Sequence, residues 1–180
     1  MPDDPAADAP PLPILLVPDP ALRAKARAVG PADADRVRAL APRMLAAMYA
    51  APGIGLAAPQ VGVGLRLAVV DLQKEDRRDP LVLVNPEIAA ESAEMQTREE
   101  GCLSLPGHYA EVTRPARVRL RYQDLEGARR EIEAEGLLAA CLQHELDHLD
   151  GVLFVDHLSP LKRNMILRKL AKELKAKARA

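Results

Sequence analysis

The sequence contains no tryptophan, three tyrosines and one phenylalanine. So few rings exclude a base-stacking platform for nucleic acid, and the core must be built from Leu, Val, Ile, Ala and Met. Two cysteines in 180 residues do not make a disulfide framework, which points to a reduced, cytoplasmic setting. No apolar run approaches the ~18–20 residues of a membrane span. The opening Met1-Pro2-Asp3-Asp4-Pro5 lacks the basic start and apolar middle of a secretion signal. A formal net charge of -1 gives no overall field toward nucleic acid. What is present is 48 % hydrophobic and 28 % charged, enough for one domain with a sizeable core. Residues 1–12, rich in Pro, Ala and Asp, are expected to be disordered, and 13–180 to form that single domain.

Hydrophobic spacing outlines an α+β domain, with antiparallel strands wrapped around a central helix and an amphipathic helix at the C-terminus. Ile14–Val17 reads as an edge strand closed by Pro18-Asp19-Pro20. Asp33 is placed to cap a helix in which Val37, Leu40, Met44 and Met48 recur at helical spacing up to Pro52-Gly53. Leu65–Leu72 and Leu81–Val84 read as buried strands, Asn85-Pro86 as a turn, and 92–99 as a further strand. Arg117–Tyr122 alternates, with Val118, Leu120 and Tyr122 on one face and three arginines on the other. After a turn at Leu125-Glu126-Gly127 the chain returns through Arg130–Ala134, a half-solvated antiparallel hairpin. Leu137, Leu138, Cys141, Leu142, Leu146 and Leu149 then mark a helix stopped by Gly151. Ser159-Pro160 opens the last helix, with Ser as cap and Pro at its first position.

The central helix carries His144-Glu145-Leu146-Asp147-His148, the pattern H-E-x-x-H. Residues i and i+4 leave one helix face a turn apart, so both imidazoles can bind one cation while Glu145 acts on water beside it. A catalytic ion of this kind takes a third protein ligand. A further His six residues after His148 would serve, but Phe154 occupies that position. Asp156 and Glu173 fit poorly, and His157 is a weaker alternative. Cys141 shares the face of His144, yet lies about 10 Å along the axis from His148 at 1.5 Å per residue. The third ligand is therefore expected from another element, which leaves Cys102 in Glu100-Gly101-Cys102-Leu103-Ser104, a soft thiolate suited to such an ion. Gly53–Gln60 superficially reads as a dinucleotide fingerprint, but a helix precedes it and a strand follows, and Pro59 opposes a helix there. It is read as a loop whose backbone approaches something closely, with Gln60 offering an amide donor.

Three stretches together resemble the peptide deformylases. Gly53–Gln60 matches that family's G-φ-G-φ-A-A-x-Q, Glu100–Ser104 its E-G-C-φ-S, and Gln143–Gly151 its Q-H-E-x-D-H-L-x-G. The resemblance implies that Cys102, His144 and His148 bind the metal. It makes Glu145 the general acid/base, with Gln60 and the Leu103 N–H stabilising the oxyanion. Gly55, Ile54, Leu137 and Cys141 would bind substrate, the last three forming an apolar hole for a methionine side chain. The implied reaction removes the formyl group from N-formylmethionyl peptides. The implied cofactor is one divalent ion, Fe2+ first, with Zn2+, Ni2+ or Co2+ as alternatives. Some members carry Arg seven residues after the metal Cys, where this chain has Tyr109. The last helix, with Leu161, Met165, Leu170 and Leu174 facing the body and a row of cations opposite, is expected to contact the ribosome. No membrane contact is expected, and the protein is expected to be a monomer. The rivals are an H-E-x-x-H peptidase cutting internal bonds and a non-catalytic ribosome-associated module.

Overall fold

The structure, a computed structural model, describes residues 10–180. Most of the disorder expected for 1–12 therefore lies outside the described residues, and Leu12 packs against the first apolar cluster. Among the described residues there are three α-helices, α1 (Ala34–Ala50), α2 (Gly136–Leu149) and α3 (Pro160–Ala178). Five strands form one sheet in the order β1-β2-β3-β6-β7: β1 (Gly55–Ala57), β2 (Leu67–Val70), β3 (Leu81–Glu91), β6 (Arg117–Gln123) and β7 (Arg129–Glu135). A separate hairpin pairs β4 (Met95–Cys102) with β5 (Leu105–Pro115). Every strand pair is antiparallel. Helix α2 lies between the sheet and the hairpin, touching β1, β2, β5, β6 and β7.

The core has three main parts. Met44, Leu45 and Met48 of α1 pack on Leu56, Leu67 and Val69. Leu142 and Leu146 of α2 pack on Leu83, Val118 and Leu120. Leu105 and Val112 of β5 pack on Phe154 and on Leu170 of α3. β2 is buried on both faces, as its unbroken apolar run requires. In β6 the alternation holds, with Val118 and Leu120 buried between exposed arginines.

Several local expectations are corrected. Ile14–Val17 is not a strand; it is an extended strap whose Leu15 N–H donates to Gln60 O (2.7 Å) and Val17 N–H to Ser104 O (3.0 Å). Asp33 does not cap α1, because its carboxylate is held by Arg27 and by the Gly30 N–H. Asn85-Pro86 is no chain reversal: β3 runs through it at a register shift, and the Asn85 side chain bonds both polar groups of Val29. The segment 53–64 contains β1 and a 3-10 turn, Ala58–Val61, in which Pro59 sits in the first turn, where a missing N–H costs nothing. The face of α3 also differs. Leu170 is buried, and Ile166, Leu167 and Leu174 pack beside it, whereas Leu161 and Met165 are exposed at 71 % and 61 %.

Candidate metal centre and cleft

Helix α2 presents His144 and His148 one turn apart, their rings edge to face with centroids 5.0 Å apart and Nε2 atoms 3.2 Å apart. Cys102 ends β4, and the tight turn that follows aims its Sγ at the helix, 3.3 Å from His148 Nε2. The three ligand atoms lie within 4.8 Å of one another. Donors about 2.0–2.3 Å from a tetrahedral ion are themselves about 3.3–3.6 Å apart, so this thiolate and two imidazoles fit one divalent cation. His157 instead bonds Asp147 (2.8 Å), and Cys141 is turned toward Ile54 O (3.8 Å), so neither joins the cluster.

The ligands are held from behind. His144 Nδ1 bonds Glu100 Oε1 (2.9 Å), which leaves Nε2 toward the cluster. Glu100 receives a forked pair of bonds from Arg114, at 2.7 and 2.9 Å, and Arg114 also donates to Asp147 on α2 (2.8 Å). Burial raises the Glu100 carboxyl, but hydrogen bonds from Arg114 and then His144 outweigh it and hold the group at about 2. An anion thus stands permanently behind His144. Burial, then the charges of His144 and Arg114, push the His148 imidazole well down; burial also lowers the His144 imidazole, but hydrogen bonds with Cys102 and then Glu100 outweigh it and push that ring well up.

Glu145 is 3 % exposed, and its Oε2 has no hydrogen-bond partner among the described residues. Burial pushes its carboxyl up to about 7, against the nearby charges of His144 and Arg114 and with that of Glu100. Its Oε1 reaches toward Gly55, where an added Cβ would lie only 2.4 Å away. Gln60 is fixed at both ends of its amide: Oε1 accepts from the Ala57 N–H (2.9 Å) and Nε2 donates to Ser104 Oγ (3.0 Å). The same Nε2 lies 3.6 Å from Cys102 Sγ.

These groups meet in one cavity of about 560 Å³. Its wall includes Gln60, Cys102, Leu103, His144 and Glu145. An apolar side is made by Ile54, Leu137 and Cys141, with Gly55 between them and Glu145. His148 lies just behind the wall, 1 % exposed. Burial, then the charges of Glu145 and Glu100, push the Cys141 thiol well up, so it packs as a neutral apolar group. All ten residues named from the sequence are thus gathered at one place. Residues given no role there also belong to it: Glu100, Arg114 and Ser104. Glu100 had a signal, its place inside the E-G-C-φ-S stretch. Arg114 had none, because β5 carries no clean alternation.

The polypeptide deformylase family profile matches residues 11–164. A peptide deformylase of Mesorhizobium japonicum is 54 % identical over 167 residues, covering 92 % of this chain and 94 % of that protein. One from Rhizobium meliloti is 52 % identical, covering 92 % and 95 %. Among solved structures, a peptide deformylase from Legionella pneumophila superposes with a TM-score of 0.87 at 47 % identity, covering 94 % of this chain and 99 % of that one. A peptide deformylase from Synechococcus elongatus, in complex with actinonin, gives 0.83 at 45 % identity, covering 90 % and 89 %. On sequence, fold and the grouping of these side chains alike, the chain belongs to the peptide deformylase family.

Proposed function

We propose that this protein removes the formyl group from peptides beginning with N-formylmethionine, releasing formate and a free amino terminus. The observation that carries the reading is the unpartnered Glu145 oxygen, buried beside a Cys–His–His cluster and facing an apolar pocket. Cys102, His144 and His148 would hold one divalent ion, Fe2+ in our reading, with Zn2+, Ni2+ and Co2+ able to use the same donors. When bound, that cation supplies Lewis acidity and lowers the pKa of water. Glu145 takes the proton that water gives up on attacking the formyl carbon. It then delivers the proton to the departing nitrogen, so the C–N bond breaks and two products leave. The Gln60 amide and the Leu103 N–H donate to the formyl oxygen as it gains negative charge, each worth ~2.7–4 kcal/mol of barrier. Ile54, Leu137 and Cys141 receive the methionine side chain. β1 and β4 are both terminal strands of their sheets, and both line the cleft, so an extended peptide can lie between their free edges.

Formate release from formyl-Met-Ala, measured beside casein cleavage, tests this. We expect formate and no casein fragments; the reverse would favour an endopeptidase.

The reading extends to the setting. We infer that the enzyme meets its nascent-chain substrate in the cytoplasm and acts as a monomer. Lys162, Arg168, Lys169, Lys172 and Lys175 are exposed on α3, and its one acid, Glu173, is taken up by His108 (2.8 Å). We infer that this cationic face docks on ribosomal RNA. Because Leu170 is part of the core, charge reversal is a cleaner test than removing the helix. Lys169→Glu with Lys172→Glu should weaken ribosome binding and lower its salt slope by about 0.7–0.9 per lost contact. Unchanged affinity would refute the docking.

A further inference from the structure

One part of the cleft wall lacks strand partners. In the β4–β5 ladder Gly101 faces Tyr109, and the next pair is Cys102 with Leu105. One step along β4 thus spans four along β5, from Leu105 to Tyr109, so Pro106, Gly107 and His108 bulge out of the ladder. All three line the cavity that holds Glu145. Pro106 and Gly107 are exposed at the rim, whereas Glu145 and Gln60 are buried at the floor. Gly107 has φ +80, a conformation that favours glycine.

Such a bulge re-aims side chains but keeps no ladder bonds of its own, so its position depends on what stands behind it. Here that is α3. His108 is 8 % exposed, and its Nε2 lies 2.8 Å from Glu173 Oε2. Glu173 does not line the cavity. Its carboxylate meets the bulge at His108.

We propose that Glu173 is a positioning residue for the substrate cleft: through His108 it fixes the Pro106–His108 bulge, the stretch of wall that meets the peptide beyond the formylmethionine. The proposal rests on the deformylase reading. It makes α3 a support for peptide binding as well as a basic surface.

The test uses full-length, metal-loaded protein carrying Glu173→Ala or Glu173→Gln, assayed with formyl-Met-Ala and with a formylated pentapeptide. Glu173→Ala should raise KM for the pentapeptide about two- to tenfold, the span expected for ordering one wall segment on binding. Its kcat, and both constants for formyl-Met-Ala, should stay close to wild type. Gln keeps an oxygen acceptor for the His108 N–H and should recover most of the loss. Amide hydrogen exchange at Gly107 and His108 should quicken in the Ala variant, a readout independent of turnover. Equal losses on both substrates, or unchanged KM and unchanged exchange, would overturn the role of Glu173. A wild type that releases no formate from either peptide would defeat the deformylase reading instead.

Discussion

A buried carboxylate oxygen without a partner is costly to keep, and Glu145 keeps one, Oε2, while its Oε1 lies against Gly55. Gly55→Ala would put a methyl group 2.4 Å from Glu145 Oε1, against a side chain already enclosed. The account predicts normal metal content and a fall in kcat/KM of about 10²-fold or more, the scale of displacing a catalytic group by an ångström. Metal analysis beside formate assay checks it; wild-type turnover in this variant would show that Glu145 need not stay where it is. The pH profile belongs to the same residue. Glu145 acts as base only when ionised, and burial lifts its carboxyl to about 7. A bound cation favours the ionised form, so the acid limb of kcat/KM should have its midpoint at or below about 7. Activity that rises as pH falls through that range would contradict the assignment.

At the scale of elements, the site depends on β4 and β5 being tied to α2 through Arg114. Arg114 is 4 % exposed, and its guanidinium joins Glu100, beside a metal ligand, to Asp147, on the metal helix. Replacing it by Met leaves Glu100 buried without its cation, which costs about 3–5 kcal/mol. Loss of the support behind His144 should also weaken metal binding about 10–100-fold. Thermal denaturation and metal titration of Arg114→Met check both, and an unchanged Tm would contradict the packing role. Gly151 ends α2 at φ +74, and an added Cβ would lie 2.4 Å from Arg23 O. Gly151→Ala should therefore lower Tm through strain at the helix end, measurable by calorimetry, with the metal ligands untouched.

Legibility followed the same division. H-E-x-x-H announces itself because both ligands and the acid share one helix, where spacing fixes direction. Cys102 carries no such signal of its own and stands out only because one helix cannot surround a cation. Arg114 meets partners 14 and 33 residues away along the chain and leaves no local pattern. β5 leaves no strand signal in the sequence because its Pro106–His108 bulge breaks the period of two that marks a strand. The strap at Ile14–Val17 has the composition of a strand, but its backbone bonds go to a turn and a loop rather than to a ladder. On α3 spacing alone puts Leu161 and Met165 on one face with Leu170 and Leu174, whereas packing against Leu105 and Phe154 takes Ile166 and Leu167 in their place.

On the scale of the whole molecule, three apolar clusters hold the sheet, the hairpin and the helices around one cleft. The cleft draws its cation ligands from β4 and α2, and its amide donor from the turn after β1. Leu170→Ala, in the cluster that joins α3 to the hairpin, should cost about 2–5 kcal/mol by chemical denaturation. A loss confined to α3, with the hairpin unaffected, would contradict that joint core.

The most direct test compares wild type and Glu145→Ala, both purified anaerobically, for bound metal and for formate released from formyl-Met-Ala. The account predicts one divalent ion per chain in each, and turnover lower by about 10²–10⁴-fold in the variant. A variant that keeps its ion and deformylates as fast as wild type would contradict the account at its centre.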